Sequence, residues 1–290
     1  MIEIGLTGWG DHDELYAPGV KAGDKLGIYA KHYPVVEIDA TFYAIHAADT
    51  CRKWAENTPP GFSFVVKAYK GLTGHERKPQ RQTAAAEQAE NKQLASLMEA
   101  FIESIQSLRE AGKLKAVLFQ YPPWFDCTRL NVETLRATKQ LLGQLPAALE
   151  FRHSSWFSEA YAARTLSFMR SEGWIHSVCD EPQVEPHSVP AVLQATDERL
   201  TIVRMHGRNV EGWSKKGNAD WREVRYLYRY SREELLEWKN WLAELQRQST
   251  EICVLFNNNS GGDAASNAKM LMELLGMPTV PMAPKQIELF

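Results

Sequence analysis

The sequence has 290 residues, 44% of them hydrophobic, with 33 Lys+Arg against 36 Asp+Glu and a formal net charge of −3. This composition can bury a core, which excludes a disordered chain, and its near-neutral charge excludes broad electrostatic wrapping of nucleic acid. No apolar run approaches the ~18 residues of a transmembrane helix, and no secretory signal follows Met1. We therefore expect a cytoplasmic protein with no membrane partner.

Eight short segments, mostly apolar and rich in β-branched residues, recur along the chain. Such segments are typical of strands that are buried on both faces. The predicted strands are residues 2–6, 35–38, 62–66, 116–119, 147–151, 175–178, 201–205 and 252–256.

Amphipathic helical patterns lie between these segments. The predicted helices are residues 25–33, 49–57, 83–110, 131–142, 158–170, 231–245 and 263–275. Ser231 and Glu234 form a capping box at the start of one helix, and Gly276 is a stop signal after the last. Only the interval between the sixth and seventh strands lacks a clear helix, and residues 188–195 could supply a short one.

Strands and helices that alternate in this way predict an α/β fold, a single-domain (β/α)8 TIM barrel. A doubly wound open sheet is the alternative, but Gly5, Gly8 and Gly10 do not have the spacing of its dinucleotide-binding motif. We assign residues 1–276 to the barrel and residues 277–290 to a C-terminal tail.

Polar residues follow most of the predicted strands, at the end of a barrel where active sites lie. The candidate catalytic residues, as acid/base groups, are Glu37, Glu150, Asp180 and His206. The candidate substrate-binding residues are Lys67, Gln120, Arg152, Arg204 and Asn257. The alternative for the charged members is a salt-bridge layer that closes the barrel.

The cations among these residues would create a local positive field that suits a phosphate or a carboxylate. Small residues at 257–262 precede a helix after the last strand, where barrels commonly bind phosphate, although Asp263 is more simply a helix cap. Glu150, Asp180 and His206 are plausible ligands for a divalent metal, so the cofactor stays open. Loop aromatics could stack a sugar or a base, or serve only in packing; they are Trp9, Phe42, Tyr43, Tyr121, Trp124, Trp156 and Trp213.

The four cysteines, Cys51, Cys127, Cys179 and Cys253, are more than 50 residues apart and form no Cys-x-x-Cys pair. We therefore expect free thiols in a reducing compartment rather than a zinc ribbon or a redox pair.

The tail carries a separate signal. Three prolines make it an extended tether that ends in Gln286, Ile287, Glu288, Leu289 and Phe290. This ending resembles the pentapeptide with which bacterial DNA-polymerase and repair proteins bind the DNA sliding clamp. Gln286 would hydrogen-bond in a groove while Ile287, Leu289 and Phe290 fill apolar pockets. The alternative is that these apolar residues pack back on the barrel.

Several motifs together resemble the domain-of-unknown-function family 72, also called YecE-like. They are residues 5–9 (GLTGW), 36–43 (VEIDATFY), 120–123 (QYPP), 150–156 (EFRHSSW), 204–207 (RMHG) and 256–258 (FNN). The resemblance covers nearly the whole chain and implies a TIM barrel, but it does not settle the activity.

Our first hypothesis is an enzyme that acts on an anionic, phosphate-bearing substrate, which could be nucleic acid, with hydrolysis as one reaction open to it. The sliding clamp would recruit it. Two alternatives remain. One is a non-catalytic binding module for a phosphorylated metabolite or a nucleic-acid end, and the other is a sugar hydrolase or isomerase.

Overall fold

Eight parallel strands close into a barrel in the order β1 to β8, as the sequence predicts. The computed structural model describes residues 1–76, 84–214 and 224–283. The strands are β1 (Ile2–Thr7), β2 (Val35–Ile38), β3 (Ser63–Lys67), β4 (Leu114–Gln120), β5 (Ala147–Glu150), β6 (Ile175–Asp180), β7 (Leu200–Met205) and β8 (Glu251–Phe256). Each hydrogen-bonds to its neighbours, and β8 pairs with β1.

Helices surround the barrel and follow the predicted order. They are α1 (Ala22–His32), α2 (Ala48–Glu56), α3 (Ala84–Glu110), α4 (Arg129–Leu142), α5 (Ala162–Glu172), α6 (Val210–Ser214), α7 (Arg232–Leu245) and α8 (Asp263–Leu274). No helix in the described ranges is long and apolar enough to cross a membrane.

The predicted short helix at residues 188–195 is wrong, because this stretch is an irregular connection. Pro186 and Pro190 carry no amide hydrogen for a helical ladder. The amides that remain find other partners, since Val189 donates to the Glu181 carboxylate at 2.7 Å and Ala195 donates to Gln248 at 3.0 Å. Side chains thus satisfy the backbone that a helix would have satisfied.

The two predicted helix caps have different outcomes. Ser231 and Glu234 form the predicted capping box at α7. Asp263 is not the cap of α8, because Gly262 occupies that position with φ +75°, a conformation that glycine adopts without strain. Asp263 is instead the first helical residue and lies 2.9 Å from the Arg229 guanidinium.

The barrel interior is apolar in its lower layers and becomes polar towards the carboxyl ends of the strands. Its apolar residues are Val35, Val65, Ala116, Leu118, Ala148, Ile175, Leu200, Ile202, Cys253 and Leu255. Successive inward positions along a strand are two residues apart. The next inward positions on the strands are therefore Glu37, Lys67, Gln120, Glu150, Arg204 and Asn257.

The C-terminal tail leaves the barrel near η1 (Asp13–Leu15), a single 3-10 turn, where the Ala283 amide donates to the Glu14 carbonyl at 2.9 Å. The predicted clamp-binding residues Gln286, Ile287, Leu289 and Phe290 lie outside the described residues. Their role therefore stays a prediction.

Candidate functional site

Five charged side chains close the barrel at the carboxyl ends of its strands, and none is more than 3% exposed. We call them the charged floor; they are Glu37, Glu150, Arg152, Glu181 and Arg204. Burial of a single unpaired charge would cost several kcal/mol, so each member needs a partner of opposite sign. The structure supplies those partners within the floor itself.

Arg204 joins two carboxylates from opposite sides of the barrel. Its Nε and Nη2 donate to the two Glu37 oxygens at 2.8 and 2.6 Å. Its Nη1 donates to the Glu150 oxygens at 3.0 and 2.8 Å. The planar fork of arginine is suited to such two-point contacts. Arg204 therefore has little capacity left for the anionic ligand that the sequence suggests.

Arg152 connects the other side of the floor. Its Nε donates to Glu150 at 2.6 Å, its Nη1 to Glu181 at 2.7 Å, and its Nη2 lies 2.8 Å from His206 Nε2. Gln120 Oε1 lies 3.5 Å from both guanidinium groups. Glu37, Glu150, Arg152 and Arg204 therefore form a layer of salt bridges that closes the barrel, which is the alternative that the sequence left open for them.

The two carboxylates bound to Arg152 differ in acidity. Burial alone would raise the pKa of Glu150, but the Arg152 and Arg204 charges outweigh it and hold the pKa well below its usual range. Glu150 therefore stays ionised. Burial dominates at Glu181, despite the attraction of Arg152, and raises its pKa to about 7. Glu181 is thus the floor carboxylate that changes charge near neutral pH.

His206 is held as a neutral ring. Burial, reinforced by Arg152 and Arg204, lowers its pKa well below the usual range. A guanidinium can only donate, so His206 Nε2 must accept from Arg152, and the ring proton lies on Nδ1. Asn257 Nδ2 lies 2.9 Å from Nδ1, and the Nδ1 proton requires the amide group to be turned so that its oxygen accepts there. His206 is therefore fixed between Arg152 and Asn257.

Several half-buried groups surround the charged floor. We call them the rim; they are Lys67, His75, Gln120, Tyr226 and Asn257. The Lys67 ammonium lies 4.6 Å from the centre of the Phe42 ring. It forms no salt bridge with any residue in the described ranges. Burial, and then repulsion by Arg204, lowers its pKa.

Two other rim residues are shifted by the same cations. Burial would raise the pKa of Tyr226, but Arg225, Arg152, Lys67 and Arg204 together lower it below the ordinary value. Burial, then Lys67 and Arg152, lowers the pKa of His75 to about 4, so that ring is neutral at pH 7. The potential at the rim is therefore positive.

Asp180 does not join the other predicted catalytic residues. It faces outward from β6 to α7, where both carboxylate oxygens accept from Arg208 Nε, at 2.9 and 3.1 Å, and one accepts from Trp238 at 2.9 Å. The inward positions of β6 are Ser177, Cys179 and, beyond the strand, Glu181. The expectation that Asp180 lies in the site is thus wrong, because strand alternation points it away.

The predicted metal set of Glu150, Asp180 and His206 is not assembled. Among the described residues, Glu150, Cys179 and His206 bring ligand atoms within 4.8 Å of one another. However, Arg152 and Arg204 occupy the lone pairs of His206 and Glu150 and would repel a cation. Burial holds the pKa of Cys179 well above its usual range, so its thiol stays protonated. This donor set does not fit a divalent metal.

The structure brings three residues to the site that are not among the predicted site residues. Glu181 and His75 belong to the polar residues that follow the predicted strands, and Tyr226 lies in a later loop. Glu181 could have been found by continuing the inward alternation of β6. His75 and Tyr226 belong to loops, where periodicity gives no signal. Of the predicted aromatics, Phe42 and Trp213 lie at the site, with Trp213 5.5 Å from the Arg152 guanidinium.

A cavity of about 910 Å³ lies at the opposite, amino end of the barrel. Its buried cation, Lys115, already contacts Glu3 and Glu251, and Arg199 pairs with Asp197. Since barrel chemistry occurs at the carboxyl ends of the strands, we do not assign the site to this cavity.

Comparison with known proteins places the chain in a family. A model described as "Protein of unknown function DUF72" matches residues 3–288. The UPF0759 protein YunF of Bacillus subtilis (strain 168) is 53% identical over 291 residues and is covered completely, as is this chain. The chain belongs to the DUF72 family. The resemblance read from the strand-end motifs is thereby confirmed.

Solved DUF72 structures agree with the barrel. A crystal structure of a DUF72 family protein from Enterococcus faecalis V583 matches with a TM-score of 0.85 and 33% identity, over 99% of this chain and 100% of that one. A DUF72 family protein from Thermotoga maritima MSB8 matches with a TM-score of 0.78 and 30% identity, over 95% and 99%. These DUF72 matches fix the family and the fold, so function must be argued from the site.

Proposed function

We propose that the chain is an enzyme that binds a phosphate-bearing substrate at the carboxyl end of the barrel, with Lys67 as the phosphate-binding group. One observation carries this proposal. Lys67 lies beside the charged floor, yet no described acidic side chain forms a salt bridge with it. A cation in such a position is stabilised when an anionic ligand supplies the missing partner.

The charges around Lys67 support an anion rather than a cation. Arg152 and Arg204 are matched by Glu37 and Glu150. Lys67 adds a further positive charge, and Glu181 cancels it only in part because its pKa is about 7. The low-dielectric surroundings strengthen the attraction of this surplus charge for a phosphate.

Tyr226 is our candidate for the catalytic group. The surrounding cations lower the pKa of its phenol and so make it a better proton donor at neutral pH. In hydrolysis of a phosphate ester, the water oxygen would bond to phosphorus and the ester P–O bond would break. The leaving oxygen would take the Tyr226 proton, and the proton released by water would restore the phenol.

Binding of inorganic phosphate tests the first part of the proposal. We expect the Lys67→Met variant to lose at least tenfold in phosphate affinity, measured by isothermal titration calorimetry. The matched control is Lys21→Met, which removes an exposed lysine and should leave the affinity unchanged. Equal phosphate binding by all three proteins, or by none, would overturn the assignment of Lys67.

Tyr226→Phe separates an enzyme from a binding module. If the chain is an enzyme, the variant should retain phosphate binding and lose turnover of a phosphate monoester such as p-nitrophenyl phosphate. Phosphate binding without turnover of any ester in a panel would instead favour the alternative of a non-catalytic binding module.

We also propose that the tail recruits the protein to the DNA sliding clamp, on the basis of Gln286, Ile287, Leu289 and Phe290. The full chain should bind purified clamp in surface plasmon resonance, and Leu289→Ala with Phe290→Ala should abolish that binding. Glu288→Ala is the matched control, since the motif accepts any residue there. Absence of clamp binding by the full chain would refute recruitment while leaving the barrel site untouched.

A further inference from the structure

A row of aromatic rings leads from Lys67 to the surface. Lys67 lies over Phe42, the Phe42 and His75 rings are 4.9 Å apart, and the His75 and Trp124 rings are 6.0 Å apart. Tyr43 flanks Phe42 at 5.2 Å. The surplus cation of the site and an exposed indole therefore lie at the two ends of one continuous wall.

Trp124 is the unusual member of this wall because it is 61% exposed. The next aromatic, Phe125, is buried and stacks between Tyr121 and Trp156. Packing of the core therefore uses Phe125 and does not require Trp124. A single exposed aromatic side chain is ordinary on a protein surface. An exposed indole at the outer end of a wall that begins at Lys67 is instead suited to a ligand that has a planar ring.

We propose that the phosphate-bearing ligand is a nucleotide, with its phosphate at Lys67 and its base stacked on Trp124. This inference rests on the proposed function and names its substrate class. A nucleoside monophosphate carries a phosphate and a flat base on one ribose, so a single ligand supplies an anion for Lys67 and a ring for Trp124. Gln120 and Asn257 add amide groups at the rim that can donate to and accept from a polar ligand.

A nucleotide fits this wall better than a sugar phosphate does. A base presents a flat π-surface to the indole, whereas a sugar phosphate lacks that surface. His75 adds no charge, because its pKa of about 4 leaves the ring neutral at pH 7. The wall therefore favours stacking of a neutral base, while Lys67 provides the charge.

Four probes test the inference on the full chain, by isothermal titration calorimetry: inorganic phosphate, ribose 5-phosphate, AMP and a short 5′-phosphorylated oligodeoxynucleotide. We expect AMP to bind about tenfold more tightly than ribose 5-phosphate, because a base–aromatic stack typically contributes a factor of about 5 to 150. Trp124→Ala should remove the difference. The control Tyr161→Ala removes another exposed aromatic, which makes no ring contact with the described aromatics, and should preserve it.

Failure of this inference is distinguishable from failure of the proposed function. Equal affinity for AMP and ribose 5-phosphate, or a preference that survives Trp124→Ala, overturns base stacking and leaves phosphate binding intact. Failure of all four probes to bind overturns both. Binding of AMP but not of the oligonucleotide supports a free nucleotide, whereas binding of both supports a nucleic-acid end as the source of the same chemistry.

Discussion

Arg204 carries a large share of the stability of the barrel mouth, because two buried carboxylates depend on it. Removal of one partner from a buried ion pair leaves an uncompensated charge and typically costs 3–5 kcal/mol. We therefore expect Arg204→Met to lower the free energy of unfolding by about that amount, measured by urea denaturation.

The matched control for Arg204→Met is Arg164→Met, since Arg164 is exposed on α5. That substitution should change the free energy of unfolding by less than about 0.5 kcal/mol. If Arg204→Met also cost less than about 1 kcal/mol, Glu37 and Glu150 would have to be solvated rather than buried.

The raised pKa of Glu181 leads us to expect a specific dependence of stability on pH. Its folded-state pKa of about 7 exceeds the ordinary value of 4.5, so the folded protein holds this proton when the unfolded chain has lost it. The free energy of unfolding contributed by Glu181 is therefore present below pH 4.5 and is lost as pH rises through 7, by up to about 1.4 kcal/mol per pH unit. Glu181→Gln should remove that component.

The measurement compares urea denaturation of the wild type and Glu181→Gln at pH 5, 6, 7 and 8. The stability of the wild type relative to the variant should fall across this series. Glu159→Gln, at an exposed position of the β5–α5 connection, should run parallel to the wild type. If the Glu181→Gln curve were also parallel, Glu181 would have an ordinary pKa.

The side-chain periodicity of the strands made much of the site predictable. Residues two apart in a strand face the same way, and Glu150 with Arg152, like Arg204 with His206, lie together in the site. The inward face of β6 was harder to predict. Polar residues occupy both faces of this strand, so the apolar pattern does not show which of its residues point into the barrel. The sequence also could not show that Arg152 and Arg204 donate their hydrogen bonds to buried carboxylates of the same chain, since that depends on contacts across the barrel.

At the scale of elements, Asp180 links a strand to a helix. It accepts from Arg208, which follows β7, and from Trp238 in the middle of α7. We expect Asp180→Asn to lower the free energy of unfolding by about 1.5–3 kcal/mol, because hydrogen bonds to a charged group are weakened or lost. Phosphate affinity should stay within twofold, measured by calorimetry on the folded variant.

If Asp180→Asn lost phosphate binding but kept the stability of the wild type, Asp180 would be a binding residue. That result would contradict its structural role. The capping box of α7 offers a comparison on the same helix. Ser231→Ala should lower the free energy of unfolding by about 1 kcal/mol and also leave phosphate binding intact.

The elements themselves were predictable where a local signal determines them. Eight buried strands and most helices follow from apolar periodicity, and α7 begins where its capping box requires. Residues 188–195 differ, because the bonds that hold Val189 and Ala195 come from Glu181 and Gln248, one of them more than 50 residues away. A sequence window around residues 188–195 cannot contain Gln248.

At the scale of the whole molecule, the charged floor joins strands from both halves of the chain, and we expect it to make the barrel one cooperative unit. Arg204 of β7 binds Glu37 of β2 and Glu150 of β5, so a division of the chain between β4 and β5 separates Glu37 from Arg204. The exposed turn at Gly143, between α4 and β5, is the natural place to divide them. We expect residues 1–143 and residues 144–290, expressed separately, to lack a cooperative unfolding transition.

The intact chain should unfold in one urea transition that coincides when followed by circular dichroism and by tryptophan fluorescence. Each isolated half would expose open sheet edges. Glu37 would lose its arginine partner and Arg204 would lose one of its two carboxylates, so the signal of each half should change gradually with urea. A sigmoidal transition in either half would show an autonomous domain. In that case the ion pairs across the barrel would join two stable units rather than create one.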